Sequence, residues 1–217
     1  MLPTVLDQLF VLMQRLLPER LLGHAVRALT RSEVPWLRSL LIRAFVRVYD
    51  VDLAEVEHPE PRSWAHMNAF FTRPLRTGAR PIATGEDTVV SPSDGLLEQL
   101  GYAEAEQLVQ AKHFRYSIAD FLALDAAEAE PFQGGATATV YLAPRDYHRV
   151  HMPLGGRVTD MTYVPGRRWA VNRRTVRTVP GLFAANERVI LWCENAAGRF
   201  AVVLVGALNV ASISLAW

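Results

Sequence analysis

The chain has 217 residues, of which 50% are hydrophobic and 21% are charged, so it is long enough to bury a core and is not of disordered composition. Its formal net charge of +1 argues against a protein that works mainly by coating nucleic acid. The single cysteine, Cys193, excludes an internal disulfide and a cysteine-based zinc site, and it fits a reducing, cytosolic setting.

Apolar residues recur at helical spacing near the N-terminus, which predicts two or three amphipathic helices within residues 1–50. The first two apolar sets are Leu6, Leu9, Phe10, Met13, Leu16 and Leu17, followed by Leu21, Leu22, Ala25, Val26 and Leu29. Asp7 and Arg15 break the run, so it matches neither a secretory signal nor a bilayer-spanning helix. Arginines outnumber acidic residues here and suit anionic lipid headgroups, whereas packing on the protein's own core explains the same pattern. Both interpretations stay open at this point.

Downstream of these helices the sequence changes from helical to β-rich patterns. We expect a helix over Ser63–Phe71 that Ser63 caps, then a strand, a turn and a strand in TVVSPSDGLLEQLG, then a short helix over Ser117–Leu124. Segments rich in β-branched and aromatic residues predict the later strands. They are ATATVYLAP, GRVTDMTYVPG, RVILWCEN and RFAVVLVGALNVASISLAW, and ENAAG at Glu194–Gly198 predicts a hairpin connection.

Helices followed by antiparallel strands predict an α+β fold, with N-terminal helices packed on an antiparallel β-sheet domain. The chain stops at Trp217 within apolar, strand-like sequence, and an uncovered strand of that kind is a pairing hazard. We therefore expect the β-rich domain to be incomplete at its C-terminus.

The segment PRDYHRVHMP, Pro144–Pro153, carries two histidines three residues apart, His148 and His151. On a helix this spacing places both side chains on one face, where they could hold a metal ion. The two prolines bracket the segment too tightly for a stable helix, and on a strand the histidines point to opposite faces. We therefore predict no metal site here.

A histidine can instead act as a general base, oriented by a carboxylate on its other ring nitrogen. Asp94 is a candidate for that carboxylate because SPSDG forms a tight turn between apolar segments and Gly95 supplies backbone freedom. An aspartate before glycine commonly hydrogen-bonds its own turn, and this alternative stays open. Asp146, within the histidine segment, competes for the role, although it can equally cap a turn or pair with a neighbouring arginine.

Several motifs in a fixed order resemble those of the phosphatidylserine decarboxylase family, in its bacterial membrane-associated form. They are FFTRPLR at Phe70–Arg76, SPSDG at Ser91–Gly95, YLAPRDYHRVHMP at Tyr141–Pro153, YVPG at Tyr163–Gly166, LFAANERV at Leu182–Val189 and VGALNVASI at Val205–Ile213. The resemblance runs from the N-terminal helices to the last residue, and PRDYHRVHMP is its most specific part.

The resemblance implies an enzyme, a carboxy-lyase that decarboxylates the serine headgroup of phosphatidylserine to give phosphatidylethanolamine. Loss of CO2 leaves a carbanion at Cα, which water stabilises poorly. In the family a covalently held pyruvoyl group forms a Schiff base with the substrate amine and serves as the electron sink. That group arises when a serine in a Leu-Gly-Ser motif attacks its preceding carbonyl, which splits the precursor into a large β chain and a small α chain.

Carried over by motif, the resemblance assigns roles to four residues. Asp94 would orient His151, and His151 would activate the cleavage serine. His148 matches the histidine that the family uses near the decarboxylation step, to protonate Cα or to hold the headgroup. Tyr141 would line the substrate pocket, although it could equally be an ordinary strand residue.

The cleavage serine itself is absent from this sequence. None of the serines follows a glycine; they are Ser32, Ser39, Ser63, Ser91, Ser93, Ser117, Ser212 and Ser214. The chain therefore resembles most of a β chain, and we expect the serine and the pyruvoyl group to lie beyond Trp217, with no cofactor-binding residue in this chain. On its own the chain should be inactive.

The resemblance also implies partners and a location. We expect a small α chain that carries the pyruvoyl group, an anionic phospholipid membrane and a homodimer of αβ units, with no nucleic acid partner. The protein would be peripheral, on the cytoplasmic face of the cell inner membrane. On this interpretation residues 1–60 form a membrane-associating helical segment and residues 61–217 form the β-rich catalytic domain.

Two other interpretations use the same residues. A Ser-His-Asp hydrolase would employ Ser91 or Ser93, and a non-catalytic lipid-binding remnant would keep the scaffold without the chemistry. Arginines around YVPGRRWAVNRR fit phosphate headgroups or nucleic acid, but we interpret them as a solvated loop surface. The cluster consists of Arg157, Arg167, Arg168, Arg173, Arg174 and Arg177, with Trp169 among them. His113 is interpreted as an ordinary surface residue.

Overall fold

The computed structural model describes residues 4–85, 88–103, 107–111, 114–208 and 213–217. Over these residues helices and antiparallel sheets share one chain, which confirms the predicted α+β class. The chain divides into two compact units, which we name the sheet unit (Met1–His24, Gln99–Thr137 and Gly156–Trp217) and the histidine unit (Ala25–Glu98 and Ala138–Gly155). The functional division at residue 60 stays a prediction, and His113 and Ser212 lie outside the described residues.

Three helices form the N-terminal segment, as predicted: α1 (Val5–Leu16), α2 (Glu19–Thr30) and α3 (Pro35–Tyr49). At the start of α1 the Thr4 side chain accepts from the backbone N–H of Asp7, and the Asp7 carboxylate accepts in turn from the N–H of Thr4. α3 begins at a proline, which suits a first helical turn, and ends at Asp50 in a left-handed conformation. Among the described residues, none of the helices combines the length and the hydropathy that a membrane span requires.

The helix predicted over Ser63–Phe71 begins later than expected. A 3₁₀ turn covers Pro61–Ser63, and the next α-helix, α4, covers only Met67–Phe71. Trp64 separates them because its buried indole N–H donates to a backbone carbonyl (3.0 Å) while its own backbone stays extended. His66 caps α4 in place of the predicted serine, since its ring nitrogen accepts a backbone N–H of the first turn (3.0 Å).

The described strands form three sheets. The strands are β1 (Leu96–Tyr102), β2 (Gln107–Ala111), β3 (Phe114–Ser117), β4 (Ala136–Tyr141), β5 (Arg157–Val164), β6 (Arg188–Asn195) and β7 (Gly198–Val205). β1 pairs with β4, β2 pairs antiparallel with β3, and β5, β6 and β7 form an antiparallel sheet in that order. The β6–β7 hairpin turns at Asn195–Gly198, as ENAAG predicts. The last predicted strand is too long, because β7 ends at Val205.

Four short helices lie between the strands: α5 (Ile118–Leu122), α6 (Ala126–Ala129), α7 (Arg173–Thr178) and α8 (Leu182–Ala185). Ser117 caps α5, within the helix predicted there. In the sheet unit α1 packs against α7. The sheet unit buries two apolar clusters, around Leu182 and around Ile190, whereas the histidine unit buries one around Phe70. Each unit therefore has its own core.

Candidate active site

Two backbone hydrogen bonds join the SPSDG turn to the histidine segment within the histidine unit. The N–H of Val90 donates to the carbonyl of Pro153 (3.0 Å), and the N–H of His151 donates to the carbonyl of Pro92 (2.7 Å). The residues before the turn make these bonds instead of forming the predicted strand. Asp94 is thereby held beside the segment that carries both predicted histidines.

Gly95 lets the turn approach the last residue of β4. Its φ of 129° lies in the region that favours glycine, and a Cβ at this position would lie 2.4 Å from the carbonyl oxygen of Tyr141. A side chain here would push the turn and the strand apart. Conformation and space both require the glycine, and a larger residue would displace Asp94.

The Asp94 carboxylate is held by Arg80 at both oxygens. Nε and Nη2 of the guanidinium donate to Oδ1 and Oδ2, each over 2.7 Å. These hydrogen bonds lower the pKa of Asp94 below its usual value, against the opposing effect of burial, and the backbone N–H of Tyr147 lowers it further. Asp94 is therefore an ionised, oriented carboxylate at neutral pH. Its partners come from other segments, so the alternative in which it serves only its own turn is not favoured.

His151 is exposed and lies flat against Tyr147. The ring centroids are 5.6 Å apart with an interplanar angle of 16°, and the phenol oxygen is 2.9 Å from Nε2 of the imidazole. Among the contacts of the described residues there is no hydrogen bond between the Asp94 and His151 side chains. A carboxylate can accept about four hydrogen bonds, so Asp94 retains capacity for a further donor. The predicted pairing of Asp94 with His151 stays a prediction.

His148 has a different environment from His151. Its ring stacks on Phe71 at a centroid distance of 3.9 Å, and its Nε2 lies 3.1 Å from the carbonyl oxygen of Ala143. Since a carbonyl only accepts, Nε2 carries the hydrogen. Burial lowers the pKa of His148, and hydrogen bonds to the carbonyls of Pro144 and Ala143 partly oppose that effect. His148 is a neutral imidazole at neutral pH.

Arg73 anchors the backbone of the histidine segment. It is 3% exposed, and its Nη2 donates to the carbonyl of Arg145 (2.9 Å) while its guanidinium lies over the Phe70 ring at 5.2 Å. Nε and Nη1 of Arg73 have no acceptor among the described residues. Asp146 serves the same segment, because its carboxylate accepts from the N–H of Ala143 (2.6 Å). Asp146 is thus a turn cap, one of the roles considered for it.

The structure brings all four predicted site residues into one unit and adds residues that the motifs did not single out. Tyr141 is half-buried at the end of β4, and its role in substrate binding stays a prediction. Arg80 and Tyr147 were missed, although the arginine in GARPI and the aromatic inside PRDYHRVHMP are visible in the sequence. Within the described ranges, no three histidine, cysteine or acidic side chains cluster as metal ligands do.

In the sheet unit, α1 presents its apolar residues outward. Asp7 and Gln14 are 3% and 4% exposed, whereas Leu6 and Leu16 are 69% and 77% exposed. Asp7 pairs with Arg177 (3.2 Å), and Gln14 bonds to the backbone before α7. An amphipathic helix on its own core normally shows the opposite arrangement. The exposed apolar residues of α1, which we call the α1 apolar face, are Val5, Leu6, Leu9, Leu12, Met13 and Leu16.

Four arginines of the predicted surface are exposed, as the solvated-surface interpretation expects, and several of the cluster also form pairs within the sheet unit; the exposed ones are Arg157, Arg167, Arg173 and Arg174. Arg174 and Arg177 face Asp7 (3.8 Å and 3.2 Å), and Arg168 donates to Glu187 (2.8 Å). Arg157 pairs with Glu194, and Arg167 lies over the Trp169 ring at 4.8 Å. Each of these guanidinium groups is opposite a carboxylate or a ring, and the more exposed pairs contribute little to stability.

Comparison with known proteins identifies close similarity over nearly the whole chain. A family model described as phosphatidylserine decarboxylase matches residues 67–216, and a second model, described as PSD, matches residues 9–50. The chain is 48% identical over 211 residues to the phosphatidylserine decarboxylase proenzyme of Azotobacter vinelandii, covering 97% of this chain and 74% of that protein. Proenzymes of the same name from Nitrosococcus oceani and Pseudomonas paraeruginosa are 47% and 49% identical, over 97% of this chain and 69% and 73% of theirs.

Proposed function

The chain belongs to the phosphatidylserine decarboxylase family, and we propose that it forms the β-chain part of a carboxy-lyase that converts phosphatidylserine to phosphatidylethanolamine and CO2. The observation that carries this proposal is the joining of the SPSDG turn to the histidine segment by backbone hydrogen bonds of 3.0 Å and 2.7 Å. Both segments lie inside the family match at residues 67–216. The relatives are proenzymes, so a processed two-chain form follows from the family.

In the proposed self-cleavage, His151 is the general base and Asp94 is the carboxylate that orients it. In the precursor the cleavage serine gives its hydroxyl proton to the His151 ring as its oxygen bonds to the preceding carbonyl carbon. The C–N bond to the serine nitrogen then breaks as that nitrogen takes the proton from His151, and the resulting ester is eliminated, which separates the two chains. Asp94 stays ionised and stabilises the imidazolium, as the carboxylate of a hydrolase triad does. The lowered pKa of Asp94 and the exposure of His151 both support these roles.

In the proposed decarboxylation, His148 is the group that exchanges a proton with the substrate. A pyruvoyl group on the small α chain would supply the electron sink. His148 would serve beside such a group because its half-buried imidazole is held in place by the Phe71 ring and the Ala143 carbonyl. Tyr141, at the end of β4, would line the headgroup pocket.

The α1 apolar face is proposed to rest on the cytoplasmic surface of the inner membrane as a peripheral contact. Burying such a helix face in the lipid interface recovers free energy in proportion to its apolar area. Residues 1–60 would then be the membrane-associating segment and residues 61–217 the catalytic domain. A homodimer of αβ units completes the proposed assembly.

Incubation of a precursor that carries this chain and the cleavage serine with phosphatidylserine in mixed micelles tests the function. Equal amounts of released CO2 and phosphatidylethanolamine are expected. Vesicle binding without turnover would favour the lipid-binding remnant instead. Labelling by a fluorophosphonate probe would favour the hydrolase, which has less support because the Ser91 hydroxyl donates to the carbonyl of Ser93 (2.7 Å) inside its own turn.

A further inference from the structure

Arg80 connects two carboxylates in the histidine unit. Besides its two bonds to Asp94, its Nη1 and Nη2 donate to Oε1 and Oε2 of Glu55 at 2.9 Å and 2.8 Å. Nη1 also donates to the carbonyl of Ala79 (2.8 Å). The planar guanidinium is thus occupied on two edges, which restricts its rotation and sets the plane of the Asp94 carboxylate.

Glu55 lies in a stretch of chain that is separate from the turn carrying Asp94. It lies between α3 and α4, and its backbone carbonyl accepts from the N–H of Arg76 (2.9 Å). An isolated bridge Val56↔Leu75 pairs the same two stretches of chain. These contacts fix the backbone of Glu55, so its carboxylate can hold the Arg80 guanidinium in one orientation.

We propose that Arg80, braced by Glu55, is a positioning residue for self-cleavage that holds the Asp94 carboxylate in the orientation His151 needs. The proposal rests on the proposed function, and specifically on the role of Asp94. Arg80 does not reach the serine or the substrate in this account, so it acts only through Asp94. Removing a group that orients a metal-ligating side chain typically costs roughly 10- to 100-fold in activity or metal affinity, and we expect an effect of the same order for Arg80.

The charged and titratable groups around Asp94 come from three stretches of chain. Arg73 and Arg80 attract the carboxylate, with Arg80 the stronger because it is hydrogen-bonded. Glu55 carries the same negative charge as Asp94 and would repel it, but the same Arg80 neutralises it. The histidine segment adds Tyr147, whose pKa is raised by burial, together with Asp146, Arg149 and His151. Removal of Arg80 therefore takes away the main stabilisation of the ionised carboxylate.

The direction of the pH effect follows from this balance. Arg80 lowers the pKa of Asp94, so its removal raises that pKa while burial continues to act in the same direction. A carboxylate with a raised pKa stays protonated to a higher pH. The acid limb of the self-cleavage rate should consequently move to higher pH, whereas a purely structural defect would lower the rate at every pH without moving the limb.

The test uses self-cleavage of the full precursor, followed by gel and intact mass as a function of pH. The variants are Arg80→Gln, Arg80→Lys and Glu55→Gln, with Arg157→Gln as the matched control because Arg157 pairs with Glu194 on an exposed surface of the sheet unit. Arg80→Gln should slow cleavage by roughly tenfold or more and move the acid limb upward. The cleavage rate of Arg80→Lys should lie between those of Arg80→Gln and wild type, since a lysine keeps the charge but cannot bind both carboxylate oxygens in the geometry of a guanidinium. Glu55→Gln should show a smaller effect in the same direction.

The outcomes separate this inference from the proposed function. If Asp94→Asn and His151→Ala block cleavage while folded Arg80→Gln keeps the wild-type rate and acid limb, the positioning role is overturned and the function stands. If Asp94→Asn and His151→Ala both cleave normally, the proposed function itself fails. If circular dichroism shows that Arg80→Gln is unfolded, the cleavage profiles of Arg80→Lys and Glu55→Gln decide whether Arg80 has the positioning role. A slower, shifted profile in both supports the role, and wild-type profiles in both overturn it.

Discussion

The phenol oxygen of Tyr147 lies 2.9 Å from Nε2 of His151, and the two rings are nearly parallel at an angle of 16°. The contact occurs in an irregular segment, so no helix or strand enforces it. Burial raises the pKa of Tyr147, which keeps the phenol protonated, and the tautomer of His151 decides whether the phenol donates to Nε2 or accepts from it. Tyr147 therefore fixes the orientation of an otherwise exposed imidazole.

Replacing Tyr147 with phenylalanine tests this contact. The Tyr147→Phe variant keeps the ring stack and removes the hydrogen bond, so His151 should lose part of its orientation. We expect self-cleavage of the precursor to slow by a few fold to about tenfold, since a neutral hydrogen bond contributes roughly 0.5–1.5 kcal/mol. Tyr163→Phe is a suitable control because Tyr163 lies in the sheet unit and bonds to Glu187 (3.2 Å). Equal rates for wild type and Tyr147→Phe would remove Tyr147 from the site.

The half-buried His148 predicts a pH dependence of the free energy of unfolding. Its pKa is lower in the folded protein than the ordinary 6.5, so the unfolded chain binds a proton more readily. Stability should be complete above that ordinary value and should fall as the pH drops through the window between it and the lowered pKa. Thermal unfolding between about pH 7 and about pH 5 measures the slope. His148→Gln should flatten it, and a control His58→Gln, at an exposed position, should not. An unchanged slope in His148→Gln would contradict the assignment of a neutral imidazole whose pKa is lowered by folding.

The α1 apolar face predicts membrane binding that can be removed without unfolding the protein. Leu6 and Leu9 are 69% and 54% exposed, so an aspartate at either position meets solvent in the free protein. Each leucine-to-aspartate substitution removes roughly 1.5–3 kcal/mol of apolar burial on a membrane. The affinity of the double variant for phosphatidylglycerol vesicles, measured by cosedimentation, should therefore be at least about tenfold lower. Gln8→Asp is the control for charge, because it adds one negative charge to α1, as each leucine substitution does, and removes no apolar residue. Unchanged sedimentation of the double variant would show that this face does not bind membrane.

Removing the side chain of Asn186, in the sheet unit, should greatly lower the free energy of unfolding. It is 0% exposed; its Oδ1 accepts from the N–H of Trp169 (3.0 Å), and its Nδ2 donates to the carbonyls of Trp169 (3.0 Å) and Gly206 (2.8 Å). Asn186→Ala would leave these groups buried without partners, which costs about 3 kcal/mol and lowers Tm by roughly 5–10 °C. Asn195→Ala, in the β6–β7 turn, should cost about 1 kcal/mol or less. A Tm for Asn186→Ala within 2 °C of wild type, taken as roughly the smallest meaningful shift, would contradict this account.

Local sequence patterns predicted the elements that depend on local chemistry. α1 and α2 follow from the apolar spacing of their residues, and the β6–β7 hairpin follows from its turn residues. The predicted start of the helix at Ser63 was wrong because burial of Trp64, a tertiary effect, overrides the helical propensity of the residues around it. The sequence pattern also does not predict which face of α1 packs on the protein, because amphipathic spacing shows only that the helix has a polar and an apolar face.

The candidate site was predicted in part for a related reason. Asp94, His148 and His151 stand in recognisable motifs, and the structure holds their segments together in one unit. Glu55 and Arg80 stand in no such motif, because their role depends on a pairing between separate stretches of chain. Pairings of that kind become visible only once the chain is folded.

The most direct test of the central claim is the intact mass of the full precursor under denaturing conditions, before and after reaction with phenylhydrazine. We expect a large and a small chain in the wild type, with the reactive carbonyl on the small chain. His151→Ala should remain a single uncleaved chain, whereas His148→Ala should still yield two chains but release little CO2 from phosphatidylserine. A single wild-type chain without a reactive carbonyl would contradict the account, and the reverse behaviour of the two histidine variants would exchange their roles.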